Sequence, residues 1–319
     1  MRQLPERSTR CYILYDLIDK NMFSAATSPK VSIIMTTYNG GKYIFETIES
    51  IRNQTHKNWE LIAVDDGSSD NTCDIIVAIK DERIHLYKAG RIGTNGTLKN
   101  IGLNMTSGEL IAFIDHDDLW APEKIEKQVA ALQQYGEAGF SLTGGYNFRK
   151  QGEPSEYFYK QRDGIRVDNV FISFFRSELP GFTQALMLRK KCIDVTGLFN
   201  ETKSFADVDF ILKLAYHFKA AILYEPLLFR RLHDTNYIHS NWEKGHHEGI
   251  EIIQSYKNRL DRKIFRDALF RSHINFGEKY ISYKQSRKAI QHFLRAWENK
   301  IFSIIPFKKI MKAILYFFR

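Results

Sequence analysis

Cysteine is scarce. Cys11, Cys73 and Cys192 are the only three in 319 residues, too few and too far apart for a disulfide framework, and no Cys-x-x-Cys pair offers a zinc site. A reducing cytoplasm is the expected setting. Long apolar runs are missing too: the nearest approach to a membrane span, Ile301 to Phe318, is broken by Pro306, Lys308, Lys309 and Lys312, so no transmembrane helix is expected. Met1 to Lys30 is basic but has no apolar stretch followed by a small-residue cleavage site, which argues against a secretory signal. Two nucleotide signatures are also absent. After the first apolar strand the chain reads Thr-Thr-Tyr-Asn-Gly-Gly, where a dinucleotide-dependent oxidoreductase needs G-x-G-x-x-G, and no G-x-x-x-x-G-K-[ST] phosphate loop occurs. A phosphoacceptor signalling domain would carry its paired aspartates on the first strand, in a chain about half as long.

Positive charge is unevenly shared. The net charge is +9, yet Glu251–Arg319 alone holds 16 Lys and Arg against 5 Asp and Glu, so the whole excess lies in the last fifth of the chain. Lys and Arg alternate there with Phe, Tyr, Trp and Ile, a pattern that suits a basic helical cap or an amphipathic helix lying on an anionic membrane surface. No nucleic-acid module accompanies the charge, and no nucleic-acid partner is expected.

From Val31 onward, short apolar runs alternate with helical stretches, the pattern of βαβ units and a mostly parallel sheet. Strands are expected at Val31–Met35, Trp59–Val64, Arg83–Tyr87 and Leu110–Ile114. Helices are expected near Lys42–Asn53, Asn71–Ile79, Gly96–Met105 and Pro122–Tyr135. A mixed segment follows, with a polar and aromatic stretch over Tyr146–Asp168, an apolar run at Phe182–Leu188, a helix near Val208–Phe218 and a strand near Ala221–Leu228. Beyond His233 the chain reads as a His-rich loop, with His246 and His247 in a solvated turn, and then as helix from about Glu248. Tyr280–Lys300 has the spacing of a helical hairpin.

Ligands of open α/β sheets bind at the carboxyl ends of the strands. There the chain places Thr36-Thr37-Tyr38-Asn39-Gly40, Asp65-Asp66-Gly67-Ser68-Ser69-Asp70 and Asp115-His116-Asp117-Asp118. A nucleoside diphosphate sugar presents a base, a ribose diol and a diphosphate. Tyr38 would stack on the base, Asp65 accept its N–H, Asp115 accept from the ribose, and Asp117 hold Mg²⁺ or Mn²⁺ against the phosphates, since hard cations take oxygen ligands. Asp65–Asp70 also suits a plain turn that caps the next helix, and Asp70 and Asp118 are assigned such helix-start or turn duties.

Three segments together, VSIIMTTYNGGKYIFETIESIRNQTHKNWELIAVDDGSSDNT, GELIAFIDHDDLWAPEKIEKQ and the downstream FADVDF, resemble an inverting family 2 glycosyltransferase. The resemblance covers Val31 to Asp234. It implies an α/β GT-A fold, a Rossmann-like mostly parallel sheet flanked by helices, here with a C-terminal helical extension. The implied domains are an N-terminal extension over 1–30, the glycosyltransferase domain over 31–240 (nucleotide-binding half 31–140, acceptor-side half 141–240), and a basic helical region over 241–319.

For the site, the resemblance implies a UDP-sugar donor with Thr36, Tyr38 and Asp65 around the uracil, Asp115 at the ribose and Asp117 at the metal; Asp115 and Asp117 are this chain's version of the DxD motif, and with His233 they are the implied metal ligands. It adds Lys99 as a basic residue at the donor, Asp207 as the general base with Asp209 in reserve, and His233 beside the metal or diphosphate, with Arg230 or Arg231 neutralising phosphate. The chain departs from the family pattern in having Ala206 where an acidic residue is common. It also lacks the Q-x-x-R-W motif of processive synthases, so single addition is expected. The implied function is metal-dependent transfer of one sugar to a glycan or lipid-linked acceptor in surface polysaccharide or lipopolysaccharide biosynthesis, on the inner face of the cytoplasmic membrane. A non-catalytic sugar-nucleotide binder or scaffold of the same fold is the alternative that Ala206 leaves open.

Overall fold

The computed structural model describes residues 28–160, 162–234, 237–300 and 303–317. Most of the N-terminal extension, Cys11 included, lies outside them. The chain forms two compact units: Met1–Val170 with Gly181–Asn236, and Phe171–Pro180 with Tyr237–Arg319.

The first unit begins with β1 (Val31–Thr37), α1 (Ile44–Arg52), β2 (Trp59–Asp65), α2 (Thr72–Ala78), β3 (Ile84–Lys88), α3 (Asn95–Met105) and β4 (Leu110–Asp115). It continues with β5 (Leu119–Trp120), α4 (Lys124–Gln134), β6 (Ala138–Phe148), β7 (Pro154–Tyr157) and β8 (Ile165–Asp168). After the short helix α5 (Phe171–Phe175), which belongs to the second unit, come β9 (Leu186–Arg189), α6 (Ile193–Thr196), α7 (Ala206–His217) and β10 (Lys219–Arg231). One sheet runs in the order β3-β2-β1-β4-β9-β6-β10-β5, with β7 on β6 and β8 on β10. The strands β3, β2, β1 and β4 are parallel neighbours, β6 and β10 are parallel to each other, and β9 runs antiparallel between β4 and β6.

Every residue of β1 and β2 is buried, as expected of strands covered on both faces, which read as unbroken apolar runs. On one face the helix α1 lays down Ile44, Thr47, Ile48 and Ile51, the helical spacing that buries one stripe. On the other, α3 comes close to β1 at Gly102, where a Cβ would stand 2.6 Å from Cγ2 of Ile34. That approach brings the first turns of α3, including Lys99, against the carboxyl end of the sheet. In β10 the register with β6 shifts on both sides of Pro226, a residue with no N–H to give the ladder.

The second unit is helical: α5, α8 (Tyr237–Ser255), α9 (Arg262–Ser282), α10 (Ser286–Asn299) and α11 (Ile304–Phe317). A helical hairpin is present, but it spans α9 and α10, so the expected segment Tyr280–Lys300 holds only the end of α9, the turn and α10; its core contains Phe276, Tyr280, Ala289 and Phe293. His246 and His247 lie within α8 rather than in a turn. Trp242 of this polar stretch is stacked on Tyr283 and edge-on to Tyr280. No helix among the described residues is long and apolar enough to cross a membrane.

The α3–β1 approach is testable. Gly102→Val places branched carbon against Ile34 in a packed layer, and overpacking of this kind costs about 1–3 kcal/mol. A lowered thermal midpoint by circular dichroism is the expected result; an unchanged midpoint would show that α3 can retreat freely.

Candidate functional site

The carboxyl end of β4 turns sharply. Asp118 returns its N–H to the carbonyl of Asp115, and Thr47 of α1 bonds through its hydroxyl to the carbonyls of His116 and Asp118. The turn brings Asp115, Asp117 and Asp118 together, with one carboxylate oxygen from each inside a 4.8 Å group. Burial, together with the neighbouring charges of Asp117 and Asp207, pushes the Asp115 carboxyl up against the opposing pull of Lys99. Asp118 is pushed further still by its burial and by the charges of Asp117 and Asp115.

Asp118 was assigned to the turn, and it does serve there, but it also belongs to this group. Its Oδ1 accepts from the backbone N–H of Arg231 at 2.9 Å, while its buried Oδ2 has no hydrogen-bond partner. Three crowded oxygen donors, one of them without a partner, fit a hard divalent cation. His233 is not one of the three: its Nε2 meets Oδ2 of Asp117 at 2.8 Å, and its ring lies 5.0 Å from that of Tyr43. Arg231 ties the far side, from Nε to the Asp117 carbonyl at 2.9 Å and from Nη2 to Glu46 at 2.6 Å. Arg230 takes another course, over the ring of Phe182 at 4.5 Å.

The ends of β1 and β2 lie alongside. Thr36 donates through Oγ1 to Asn95 at 2.8 Å. Tyr38 is 42 % exposed, with the guanidinium of Arg91 3.9 Å from its ring centre. Arg91 in turn pairs with Asp66, which also accepts from the N–H groups of Ile92 and Gly93. Asp65 organises the turn at Gly67, whose φ is +75°. Its Oδ2 accepts from the N–H groups of Gly67 and Ser68 at 3.1 and 3.0 Å, and its Oδ1 from the Ser68 hydroxyl.

Lys99 is 1 % exposed. Its ammonium is bonded to Asp207 at 2.6 Å and to the Thr183 hydroxyl at 2.9 Å, and that hydroxyl donates to the other oxygen of Asp207 at 2.9 Å. Lys99, expected at the donor, therefore holds the residue expected to be the base. Asp209 is engaged elsewhere, by Lys213 one turn along α7 at 2.6 Å. Ala206 lies against the start of α3: a Cβ on Gly96 would stand 3.1 Å from that of Ala206 and 2.5 Å from the carbonyl of Asn200, so Gly96 has no room for a side chain there.

Sequence reasoning did not identify Thr183 and Gln184. They form a 3-10 turn, Thr183–Ala185, just ahead of β9. Because β9 runs antiparallel to β4, with Met187 beside Ala112, this turn lies level with the carboxyl end of β4. Gln184 donates through Nε2 to Oδ2 of Asp115. The available signal was positional, an apolar run preceded by polar residues, and it needed the strand order to be read.

The family model described as Glycosyl transferase family 2 matches residues 32–199, more than half of the chain. An uncharacterised glycosyltransferase of Rickettsia typhi is 34 % identical over 212 residues, spanning 65 % of each chain, so the match covers less than two thirds of that relative's length. An Escherichia coli UDP-Glc:α-D-GlcNAc-diphosphoundecaprenol β-1,3-glucosyltransferase is 42 % identical over 106 residues, 32 % of this chain and 40 % of the relative. Among solved structures, residues 1–349 of S. aureus TarS in complex with UDP-GlcNAc superpose with a TM-score of 0.64 at 18 % identity, covering 89 % of each chain, a likeness of fold. With its α/β sheet and an acidic group at the end of β4, the chain belongs to glycosyltransferase family 2.

Proposed function

We propose that the chain is a glycosyltransferase that moves a single sugar, with inversion, from a UDP-sugar to a hydroxyl of a glycan or lipid-linked acceptor in surface polysaccharide or lipopolysaccharide biosynthesis. The observation that carries this reading is that adjacent residues join the two sides of the site, Thr183 bonding to Asp207 and Gln184 to Asp115, in a chain of this family. Displacement at an anomeric carbon requires a leaving group on one side and a proton acceptor on the other.

In this reading Tyr38 stacks on the uracil, Thr36 and Asp65 lie at its edge, and Asp115 accepts from the ribose. Asp117 and Asp118, with Asp115, hold Mg²⁺ or Mn²⁺, which when bound offsets the charge gathering on the leaving diphosphate. His233 supports the Asp117 carboxylate from behind. Asp207 takes the acceptor hydroxyl's proton as that oxygen bonds to the anomeric carbon and the diphosphate departs. Lys99 and Thr183 fix both oxygens of Asp207, so the base meets the incoming hydroxyl in one orientation. The UDP preference and the lipid-linked acceptor are supported by the E. coli relative, a UDP-Glc:α-D-GlcNAc-diphosphoundecaprenol β-1,3-glucosyltransferase.

Contact with an anionic membrane, expected through 301–319, would bring such an acceptor within reach. Ile304, Ile305 and Phe307 are exposed beside Lys308 and Lys309. Residues 301, 302, 318 and 319 lie outside the described part.

Two outcomes are expected. Calorimetric titration of UDP should show binding that depends on Mn²⁺ and is lost in Asp117→Ala; the absence of binding by UDP with either protein and metal condition would remove the donor site. Asp207→Asn should lower turnover by about 100- to 10,000-fold, the range for loss of a general base, with UDP affinity nearly intact. Undiminished turnover in that variant would sink its assignment as the base, and a wild-type protein that binds UDP but never transfers sugar would favour the scaffold alternative.

A further inference from the structure

Gln184 is 5 % exposed, and the two ends of its amide have different surroundings. Nε2 donates to Oδ2 of Asp115, whereas Oε1 is buried without a hydrogen-bond partner. With a cation at the carboxylate group Asp115 is ionised and only accepts, so in the metal-loaded site the NH₂ end of the amide faces Asp115 and Oε1 faces away. Buried carbonyl oxygens are nearly always bonded, and one that is not calls for a reason. A donor that arrives with a ligand is such a reason.

The position of Gln184 says which ligand group could arrive. It follows Thr183, which bonds to Asp207 and Lys99, and it touches Asp115 of the carboxylate group. One dipeptide therefore contacts both the base and the carboxylates on the diphosphate side. During transfer the anomeric carbon must lie between the attacking oxygen, next to Asp207, and the departing diphosphate. The ring carrying that carbon then lies against the turn that spans the two. We propose that Oε1 of Gln184 accepts a hydrogen bond from a hydroxyl of the sugar being transferred, so that Gln184 helps choose the donor sugar. The inference rests on the sugar-transfer reading above and adds to it a residue that reads the sugar rather than the nucleotide.

The arrangement is suited to discrimination. Asp115 holds the amide from one side, so the carbonyl cannot swing to follow a hydroxyl of the wrong configuration. A sugar lacking the matching hydroxyl leaves the carbonyl unpaired in the complex as it is in the free protein. Sites that bond a substrate hydroxyl reject analogues lacking it far more strongly than apolar pockets reject an extra methylene.

The test uses the full chain with Mn²⁺ and calorimetric affinities for UDP, UDP-glucose, UDP-galactose and UDP-GlcNAc, then for monodeoxy analogues of whichever UDP-sugar binds most tightly. Wild-type protein is expected to bind one deoxy analogue about tenfold more weakly than its parent. In Gln184→Leu that difference should vanish, and the ratio of UDP-sugar to UDP affinity should fall by about tenfold. Gln184→Met provides a second variant of similar length should the leucine disturb folding.

A residue acting only through Asp115 would change UDP and UDP-sugar affinities together and leave their ratio unmoved; that result overturns the proposal. So does a wild-type protein that binds every monodeoxy analogue as tightly as the parent. Failure of UDP itself to bind wild-type protein would instead bring down the donor-site reading on which the inference rests.

Discussion

Three carboxylates held at the end of one strand repel one another, and much of the surrounding structure serves to keep them there. Asp115, Asp117 and Asp118 lie within a 4.8 Å group, partly or wholly out of water, where like charges are costly and a carboxyl tends to hold its proton. The opposing contacts come from three separate parts of the chain. Thr47 of α1 pins the turn's carbonyls, Arg231 of β10 holds its far side, His233 meets Asp117, and Gln184 ahead of β9 meets Asp115. None of these contacts removes the crowding. A cation would remove it, and the partnerless Oδ2 of Asp118 is where the protein's own hydrogen bonds stop.

The same constraint accounts for the buried lysine. Lys99 lowers the Asp115 carboxyl against the effect of its acidic neighbours while bonding directly to Asp207. A carboxylate expected to accept a proton thus lies close to carboxylates expected to bear the leaving group's counter-charge, with one fixed ammonium between the demands. Gly96 and Ala206 are small where α3 meets the start of α7, and this close meeting lets Lys99 of one helix reach Asp207 of the other.

How much of this the sequence disclosed depended on the range of the interaction. The strands β1, β2 and β4 were legible because both of their faces are buried, which leaves an unbroken apolar run, and the residues just past them were legible as ligand groups because parallel sheets place strand ends together. The strands β7, on β6, and β8, on β10, were not, since neither buries a full face. The start of α8 was missed because its sequence is polar and His-rich. In the site, Asp115, Asp117 and Asp65 followed from local pattern. Thr183 and Gln184 did not, because their positions depend on β9 entering the sheet beside β4, some seventy residues away in the chain. The partnership of Lys99 with Asp207, separated by 108 positions, was equally hidden, and Lys99 was read instead as a donor contact.

A crystal structure of the protein grown with UDP and Mn²⁺, with diffraction recorded near the manganese absorption edge, tests the central claim most directly. The account requires an anomalous peak bonded to carboxylate oxygens of Asp117 or Asp118, with the diphosphate on the same ion and the uracil against Tyr38. Manganese and UDP found elsewhere, with the three carboxylates still crowded and unbridged, would contradict it.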